Sequence, residues 1–414
     1  MVPARIDMRV CRNRLWTIGS GKGGVGTSFL AAAMGAALAR AGKSVILVDA
    51  NLAAPDLHAS LGIKAPSLTL RDVLTRRATL PEALIPTPEP RMRFLNCVGD
   101  ELGMADLAPG EQRKMAELLS HLDADYVLID VGSGASLNVL DFFNLAHEPI
   151  VVTSPDPASM RCTYRFIRNS TYRRIQERFG SHAEVDTALR QMHQGIGAAK
   201  PRTMTDFLDL LRPAAPEVAA SIAAMVDAWR PLLLVNMAVS EQDQRIAEII
   251  LSSARKFLSI DMRFCGLVQF DDAARRAAQR MSPRDSGEPD CKLAHQVRQV
   301  AMHLADGDTP GDGAEREEPH DSVALVPAMG LNDSLVLMGR DLHVQTEDMG
   351  AAGNCITTQV FCDGRVILST KSEYPSTMRD PHHNGQVVEL MRAQHFNVIR
   401  QIESRKTRLE PTVA

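Results

Sequence analysis

No Cys-x-x-Cys pair occurs among the seven cysteines of this 414-residue chain, and no apolar run approaches the length of a membrane-spanning helix. Residues 1–14 carry four arginines but lack the apolar segment of a secretory signal peptide. Membrane spans and secreted disulfide frameworks are therefore not expected. We expect a cytoplasmic protein with reduced thiols and a short basic arm at residues 1–14.

The charge balance gives no general attraction to nucleic acid, because the formal net charge is only −4. No basic stripe stands out beyond one arginine-rich helix, so DNA is not an expected partner. The length suggests two folded units. Acidic residues mixed with glycine and proline at 305–321 predict a flexible linker, because such a segment buries little apolar surface. We place domains at 15–304 and 322–414.

A glycine-rich stretch at residues 19–28, Gly-Ser-Gly-Lys-Gly-Gly-Val-Gly-Thr-Ser, is the strongest motif. It follows the short apolar run 15–18 and precedes residues 29–40, whose small and apolar side chains suit a closely packed helix. This strand–loop–helix context is the one that a P-loop requires. Glycines let backbone N–H groups converge on phosphate oxygens, and the helix N-terminus adds partial positive charge.

The stretch resembles the deviant Walker A motif of the MinD/ParA family, and Lys22 matches that family's signature lysine. The resemblance implies a doubly wound, mostly parallel α/β domain of the P-loop NTPase, SIMIBI-like type that binds ATP and Mg²⁺. The nucleotide would contact Gly21, Lys22, Gly23, Gly24, Val25, Gly26, Thr27 and Ser28. It also implies a homodimer in which Lys22 reaches across to the partner's phosphates.

Two positions depart from the family pattern. Thr27 stands where the family has the lysine that reaches the β- and γ-phosphates, so a charge-assisted contact of about 1.5–3 kcal/mol is lost. Strand 44–51 ends in Asp49 and Asn51, where the family has two aspartates. Asn51 can hold a water but cannot accept a proton as a carboxylate can. Nucleotide affinity and hydrolysis are both expected to be weakened.

The run 125–134 places Asp130 at the end of a second central strand and resembles a Walker B motif. Ser28, Asp49 and Asp130 are therefore the expected magnesium residues. Asn236, after the apolar run 231–235, matches the family's asparagine that reads the adenine edge, although a purely local role is the alternative. Segments 52–58 and 136–144 resemble flagellar-number regulators, the FlhG-like branch, and a helical insertion is expected at about 180–229.

The C-terminal domain is predicted as small and α+β, with strands at 342–347, 355–361 and 365–370 and a helix at about 387–405. Its role cannot be assigned from the residues. The helix carries an apolar stripe of Val387, Met391, Val398 and Ile402 beside several arginines. We expect the stripe to pack on the sheet, with peripheral membrane contact as the alternative. Histidines 382, 383 and 395 are expected to face solvent.

The resemblance implies an ATP-dependent spatial regulator of the cell-pole, flagellar-number or division-site type, with an unidentified protein partner. Three alternatives stay open. Thr27 and Asn51 suggest a non-hydrolysing scaffold, and a plasmid-partitioning ATPase would bind DNA. An iron–sulfur carrier of the same superfamily is disfavoured by the missing Cys-x-x-Cys pair.

Overall fold

A computed structural model describes residues 13–99, 109–146, 148–194, 202–272, 292–306, 331–337, 340–348, 354–362, 365–375 and 384–409. The chain divides into two compact units. The first contains residues 1–193 and 201–316, and the second contains residues 194–200 and 317–414. Most of the predicted arm and linker lies outside the described residues, but residues 305 and 306 belong to a helix rather than to the linker.

The first unit is built on an eight-stranded sheet with the order β3-β4-β2-β5-β1-β6-β7-β8. All neighbouring strands are parallel except β3 and β4. The predicted doubly wound, mostly parallel α/β fold is thus confirmed. The strands are β1 Arg14–Ser20, β2 Val45–Asp49, β3 Ile85–Pro86, β4 Met92–Asn96, β5 Tyr126–Ser133, β6 Ile150–Thr153, β7 Leu232–Ala238 and β8 Arg263–Gln269.

Helices cover both faces of this sheet. One face carries α1 and α12, and the other carries α6, α7 and α11. The central strands are accordingly buried along almost their whole length, as expected for a parallel sheet covered on both sides. The helices are α1 Thr27–Arg40, α2 Leu57–Ser60, α3 Leu70–Leu74, α4 Leu80–Ala83, α5 Pro109–Ser120, α6 Leu137–Phe143, α7 Pro157–Phe179, α8 Ala183–Gln194, α9 Met204–Leu211, α10 Pro216–Asp227, α11 Gln244–Ser253 and α12 Lys292–Asp306.

In the region proposed as an insertion, about 180–229, the described residues form the helices α8, α9 and α10. Thr203 caps α9, because its side chain accepts a hydrogen bond from the Asp206 backbone while the Asp206 carboxylate accepts from Thr203. Tyr172 of α7 packs edge-on against Phe207 of α9 at 5.9 Å between ring centroids. The segment therefore extends the helical layer on the α7 side of the sheet.

The second unit contains a four-stranded antiparallel sheet with the order β12-β11-β10-β9 and the long helix α13, Asn384–Leu409. Its strands are β9 Leu331–Leu337, β10 Arg340–Asp348, β11 Cys355–Cys362 and β12 Arg365–Glu373. The small α+β domain and three of its strands agree with the sequence-based prediction. The pattern did not indicate β9.

The apolar stripe of α13 is buried in the second unit. Val387, Met391 and Val398 are almost fully covered, and Ile402 packs, partly buried, against the apolar cluster that contains Val398. The stripe therefore covers the domain's own sheet, and these side chains are not available for membrane insertion. Among the described residues, no helix is long and apolar enough to span a bilayer.

The prediction that His395 faces solvent is wrong. The ring is fully buried, and its Nδ1 lies 2.7 Å from Oγ1 of Thr346 on β10. The Thr346 hydroxyl also lies 2.6 Å from that of Thr358 on β11. Helical periodicity alone did not reveal that strand threonines offer the ring a polar contact inside the core. Histidines 382 and 383 lie outside the described residues.

Replacing Thr346 with valine should destabilise the second unit by about 1–3 kcal/mol, because the variant removes the hydroxyl that contacts both Thr358 and His395. Thr357→Val, at a half-buried position on the opposite face of β11, is the matched control and should change stability by less than about 0.5 kcal/mol. Hydrogen exchange of peptides covering 340–373 in the full chain measures both. Equal protection in the two variants would contradict a structural role for this contact.

Candidate functional site

The glycine-rich loop joins β1 to the N-terminus of α1. Gly24 and Gly26 have φ values of +81° and +90°, a left-handed conformation that favours glycine. Gly26 precedes the first helical residue, and no side chain caps this end of α1. The first N–H groups of a helix have no intrahelical partner, so those of α1 are free to bind an anion. The loop therefore has the backbone form of a phosphate cradle.

Two close approaches fix the loop against the rest of the unit. A Cβ at Gly21 would lie 2.1 Å from the backbone carbonyl oxygen of Cys162 in α7, so this position accepts only glycine. On the other side, Nδ2 of Asn236 donates a 2.8 Å hydrogen bond to the Val25 carbonyl. Asn236 is buried within β7, and its amide holds the loop itself. Asn236 therefore fixes the phosphate loop against β7, and its contact with an adenine edge stays a prediction.

Two carboxylates lie side by side at the edge of the sheet where the loop begins. Asp49 ends β2, Asp130 lies in β5, and the two residues are direct register partners. Both oxygens of Asp49 accept backbone hydrogen bonds, one from Asn51 at 3.0 Å and one from Leu57 at 2.9 Å. Asp49 thus anchors the segment that follows β2.

In Asp130, by contrast, only one of the two carboxylate oxygens accepts a hydrogen bond. Its Oδ1 accepts from the Gly132 backbone at 2.9 Å, whereas its buried Oδ2 has no hydrogen-bond partner among the described residues. Burial raises the pKa of Asp130 to about 6, although the nearby Ser28 hydroxyl and the Gly132 N–H oppose the shift. Burial and the neighbouring Asp130 raise the pKa of Asp49 to about 8. Such a pair favours a bound cation, which offsets both the repulsion and the desolvation.

Ser28, Asp49 and Asp130 are therefore brought together, as the sequence predicts for a magnesium site. An unsatisfied buried carboxylate oxygen beside a serine hydroxyl fits the oxygen ligands that Mg²⁺ prefers. Asp130 and Ser28 are the residues whose oxygens suit direct contact. Because the Asp49 oxygens already accept two hydrogen bonds, a supporting position suits it better.

Asn51 connects the two segments that follow β2 and β5. Its Nδ2 donates a 2.8 Å hydrogen bond to the Ala54 carbonyl. Its side chain also lies against Gly132, where an added Cβ would come within 2.6 Å of the Asn51 Cγ and where φ is +72°. An aspartate at position 51 would place a carboxylate beside the Ala54 carbonyl, two acceptors without a proton between them. The local turn therefore suits the amide that the sequence has.

Lys22 lies within reach of a carboxylate of its own chain. Its Nζ is 3.1 Å from Oδ1 of Asp156, and both side chains are about 40% exposed. Asp156 also accepts from the Ser159 backbone and the Ser154 hydroxyl, and so caps α7. Although burial opposes the shift, hydrogen bonds from Ser159, Ser154 and Lys22 lower the pKa of Asp156 well below its usual range.

The sequence pattern did not single out Asp156 or Ala54 as neighbours of the site. The available signal was the Asp-Pro-Ala-Ser run at 156–159, a typical helix start with proline in the first turn. That pattern predicts a cap, but only the packing of α7 beside the loop shows that the same carboxylate meets Lys22.

The chain is similar to several known proteins. Residues 12–175 match the family model described as "ParA: NUBPL iron-transfer P-loop NTPase". A septum site-determining protein MinD from Synechocystis is 33% identical over 157 residues, which cover 37% of this chain and 58% of that MinD. The antiactivator FleN of Pseudomonas aeruginosa is 23% identical over 287 residues, which cover 69% of this chain and 83% of FleN.

A solved MinD structure from Pyrococcus horikoshii, complexed with Mg-ADP, is 19% identical with a TM-score of 0.47, covering 70% of this chain and 96% of that one. The chain spans just over half the length of the Synechocystis MinD that it matches.

The loop, the flanking strand and helix, and the paired carboxylates define the first unit as a P-loop NTPase domain. Residues 12–175 match the ParA family model and are similar to MinD, which confirms the resemblance carried by the loop motif. Similarity to FleN also agrees with the FlhG-like branch.

Replacing Asp130 with asparagine should stabilise the nucleotide-free protein above pH 6. A carboxyl whose pKa is raised by folding costs stability as the pH rises from about 4 through the folded value of about 6. The variant lacks this titration, so its free energy of unfolding should exceed that of the wild type by on the order of 1–3 kcal/mol at pH 8. The difference should vanish near pH 4.

Denaturant titrations in EDTA at several pH values measure this difference. In Mg²⁺ and ATP the wild type should recover stability, whereas the Asp130→Asn variant should not, because the cation then has one fewer carboxylate. Parallel pH profiles for the two proteins would show that Asp130 is not the group that titrates.

Proposed function

We propose that the chain is an ATP-binding spatial regulator of the MinD/ParA type, acting as a nucleotide-dependent dimer with weak or absent hydrolysis. The observation that carries the proposal is the left-handed glycine loop at the uncapped start of α1, beside the half-satisfied carboxylate of Asp130. The names of the relatives, which include septum site-determining proteins and an antiactivator, support a positioning role.

In this proposal the loop backbone from Gly21 to Ser28 holds the phosphates. Ser28 and Asp130 would hold Mg²⁺, with Asp49 in support, and the ion would supply charge neutralisation between phosphate oxygens. Asn236 would act chiefly by fixing the loop through Val25, and any contact with the base would use the remaining amide oxygen. Partner binding rather than phosphate release would be the output.

Weak hydrolysis follows from the two substitutions. Thr27 is buried at the start of α1 and brings no charge to the phosphates. Lys22 is then the one cation within the loop sequence 19–28. Asn51 has no carboxylate to orient water, and its side-chain N–H already donates a hydrogen bond to the Ala54 carbonyl. Phosphoryl transfer depends on positioned water and on cations facing the developing charge, so both requirements are reduced.

The contact between Asn51 and Ala54 also favours the second candidate, a scaffold that binds nucleotide without turnover. The matched family description mentions iron transfer, but the sequence has no Cys-x-x-Cys pair that would support such a role. Among the described residues, no group of three or more His, Cys, Asp or Glu is placed to hold a metal ion.

Hydrolysis by the wild-type chain is expected to be very slow, and neither Thr27→Lys nor Asn51→Asp alone should restore it. Each single change leaves the other requirement unmet, and Asn51→Asp also breaks the hydrogen bond to Ala54. The double variant should exceed the product of the single effects, because residues that act as a unit are not additive.

Calorimetry of ATP binding alongside single-turnover phosphate release separates binding from chemistry in all four proteins. No binding at millimolar ATP would overturn the proposal itself. Turnover at a rate ordinary for P-loop ATPases, lost in Lys22→Ala, would show instead that Lys22 has replaced the missing charge.

Dimerisation should respond in opposite directions to changes at Lys22 and Asp156. To reach a partner's phosphates, Lys22 must break its ion pair with Asp156. This pair is partly exposed and is worth about 0–1 kcal/mol. Asp156→Asn weakens that contact while keeping a good helix cap, so ATP-dependent dimerisation should strengthen by up to about fivefold. Lys22→Ala should abolish it.

Sedimentation with and without ATP and Mg²⁺ measures the dimerisation of both variants, and circular dichroism checks that they fold. Unchanged dimerisation in Lys22→Ala would remove Lys22 from the trans role, and a weaker dimer in Asp156→Asn would make Asp156 part of the interface instead.

A further inference from the structure

The second unit has an edge strand that is unusually exposed. β12 lies at one end of the sheet order and pairs with β11 on one side only. Three successive apolar side chains, Val366, Ile367 and Leu368, are 47%, 58% and 39% exposed. A long edge with free backbone groups and exposed apolar side chains is a template for pairing with another strand. Among the described strands none occupies this edge.

Few of the features that usually keep an edge strand from pairing with another chain are present in β12. A bulge at Ile367 interrupts the pairing with β11, but it lies close to the end of the strand that joins β11. From Leu368 to Glu373 the strand is regular and pairs residue by residue with Val360 to Cys355. Six residues thus present an unbroken outer edge, and Lys371 is the single lysine in it.

The groove beside β12 is also uncovered. α13 packs over β9, β10 and β11, and a groove of about 480 Å³ remains between the helix and β12. Thr370 and Ser372 line one wall, and Leu390 of α13, which is 40% exposed, lines the other. The groove is therefore mixed in character, because Leu390 is apolar whereas Thr370 and Ser372 are polar, and Gln394 of α13 donates a 2.9 Å hydrogen bond to the Thr370 carbonyl.

The strand is complementary to itself in charge. Its ends are Arg365 and Glu373, and its midpoint is Ser369. An antiparallel pair of two such strands, related by a two-fold axis at Ser369, brings Arg365 of each copy near Glu373 of the other. Leu368 then lies opposite Thr370, and both face the side that carries α13, since Leu368 and Thr370 pair with the helix-facing Val360 and Thr358. Opposite charges across strands stabilise such a pair.

We infer that β12 is a self-association edge, through which two copies of the second unit join their sheets into one eight-stranded antiparallel sheet. The interface is isologous, because the same strand of each copy meets its equivalent. It is independent of nucleotide and of Lys22, and so is separate from the dimer of the first unit.

Sedimentation of the full-length Lys22→Ala chain without nucleotide tests this, because both the substitution and the absence of nucleotide remove what the dimer proposed for the first unit requires. A reversible dimer should appear in the micromolar range. Ile367→Lys should raise its dissociation constant at least tenfold, whereas Leu210→Lys, at an apolar position on α9 that is 42% exposed, should leave it unchanged. Arg365→Glu should weaken the dimer, and adding Glu373→Arg should restore it.

Ser369→Cys tests the position of the axis. Directly opposed residues have Cβ atoms about 4.5–5.5 Å apart, close enough for a disulfide after a small adjustment. Oxidation should cross-link this variant above the level set by the natural cysteines. Gln359→Cys, the β11 position that pairs with Ser369, should not cross-link. A chain that stays monomeric, or a dimer that Ile367→Lys leaves intact, overturns the inference and leaves the edge to a strand of another protein.

Discussion

Two carboxyl groups placed next to each other in the interior are the constraint on which the candidate site depends. Asp49 and Asp130 are register partners on adjacent parallel strands, and burial raises the pKa of each. The chain relieves one of them internally, since Asp49 receives two backbone N–H groups. Asp130 keeps an unsatisfied oxygen. A cation with an anionic ligand would relieve the second, which links the electrostatics of the fold to the proposed binding of Mg²⁺ and nucleotide.

The two substituted positions fit this arrangement. Asn51 donates to Ala54 and packs against Gly132, so the segments after β2 and β5 touch at a neutral side chain rather than at a third carboxylate. Thr27 is buried as the first residue of α1 and brings no charge to that helix end. Both features are consistent with a site that holds a nucleotide in place more readily than it cleaves one. They leave Lys22, bound to Asp156, as the loop's own cation.

The second unit depends instead on the packing of one helix against a small sheet. Its helix covers three strands of a four-stranded sheet, and a polar group of Thr346, Thr358 and His395 is enclosed between helix and sheet. At the sheet edge, Gln394 of the helix donates a hydrogen bond to the Thr370 carbonyl of β12, but the apolar residues of β12 remain exposed. A sheet of this size gains stability from any surface that completes it. The exposed edge of β12 is the place where such a surface can be added to the sheet.

The sequence by itself determined the parallel α/β fold, the phosphate loop and the two carboxylate-bearing strands, because apolar runs and glycine spacing are local signals, although β5 continues to Ser133 beyond the predicted strand end at Asp130. It also indicated the second domain and the apolar stripe of its helix. Contacts between distant segments were decided only by tertiary structure. Asp156 meets Lys22 because α7 crosses the loop at Gly21, and His395 is buried because strand threonines face it. Such contacts depend on how elements pack, which residue spacing along one element does not record.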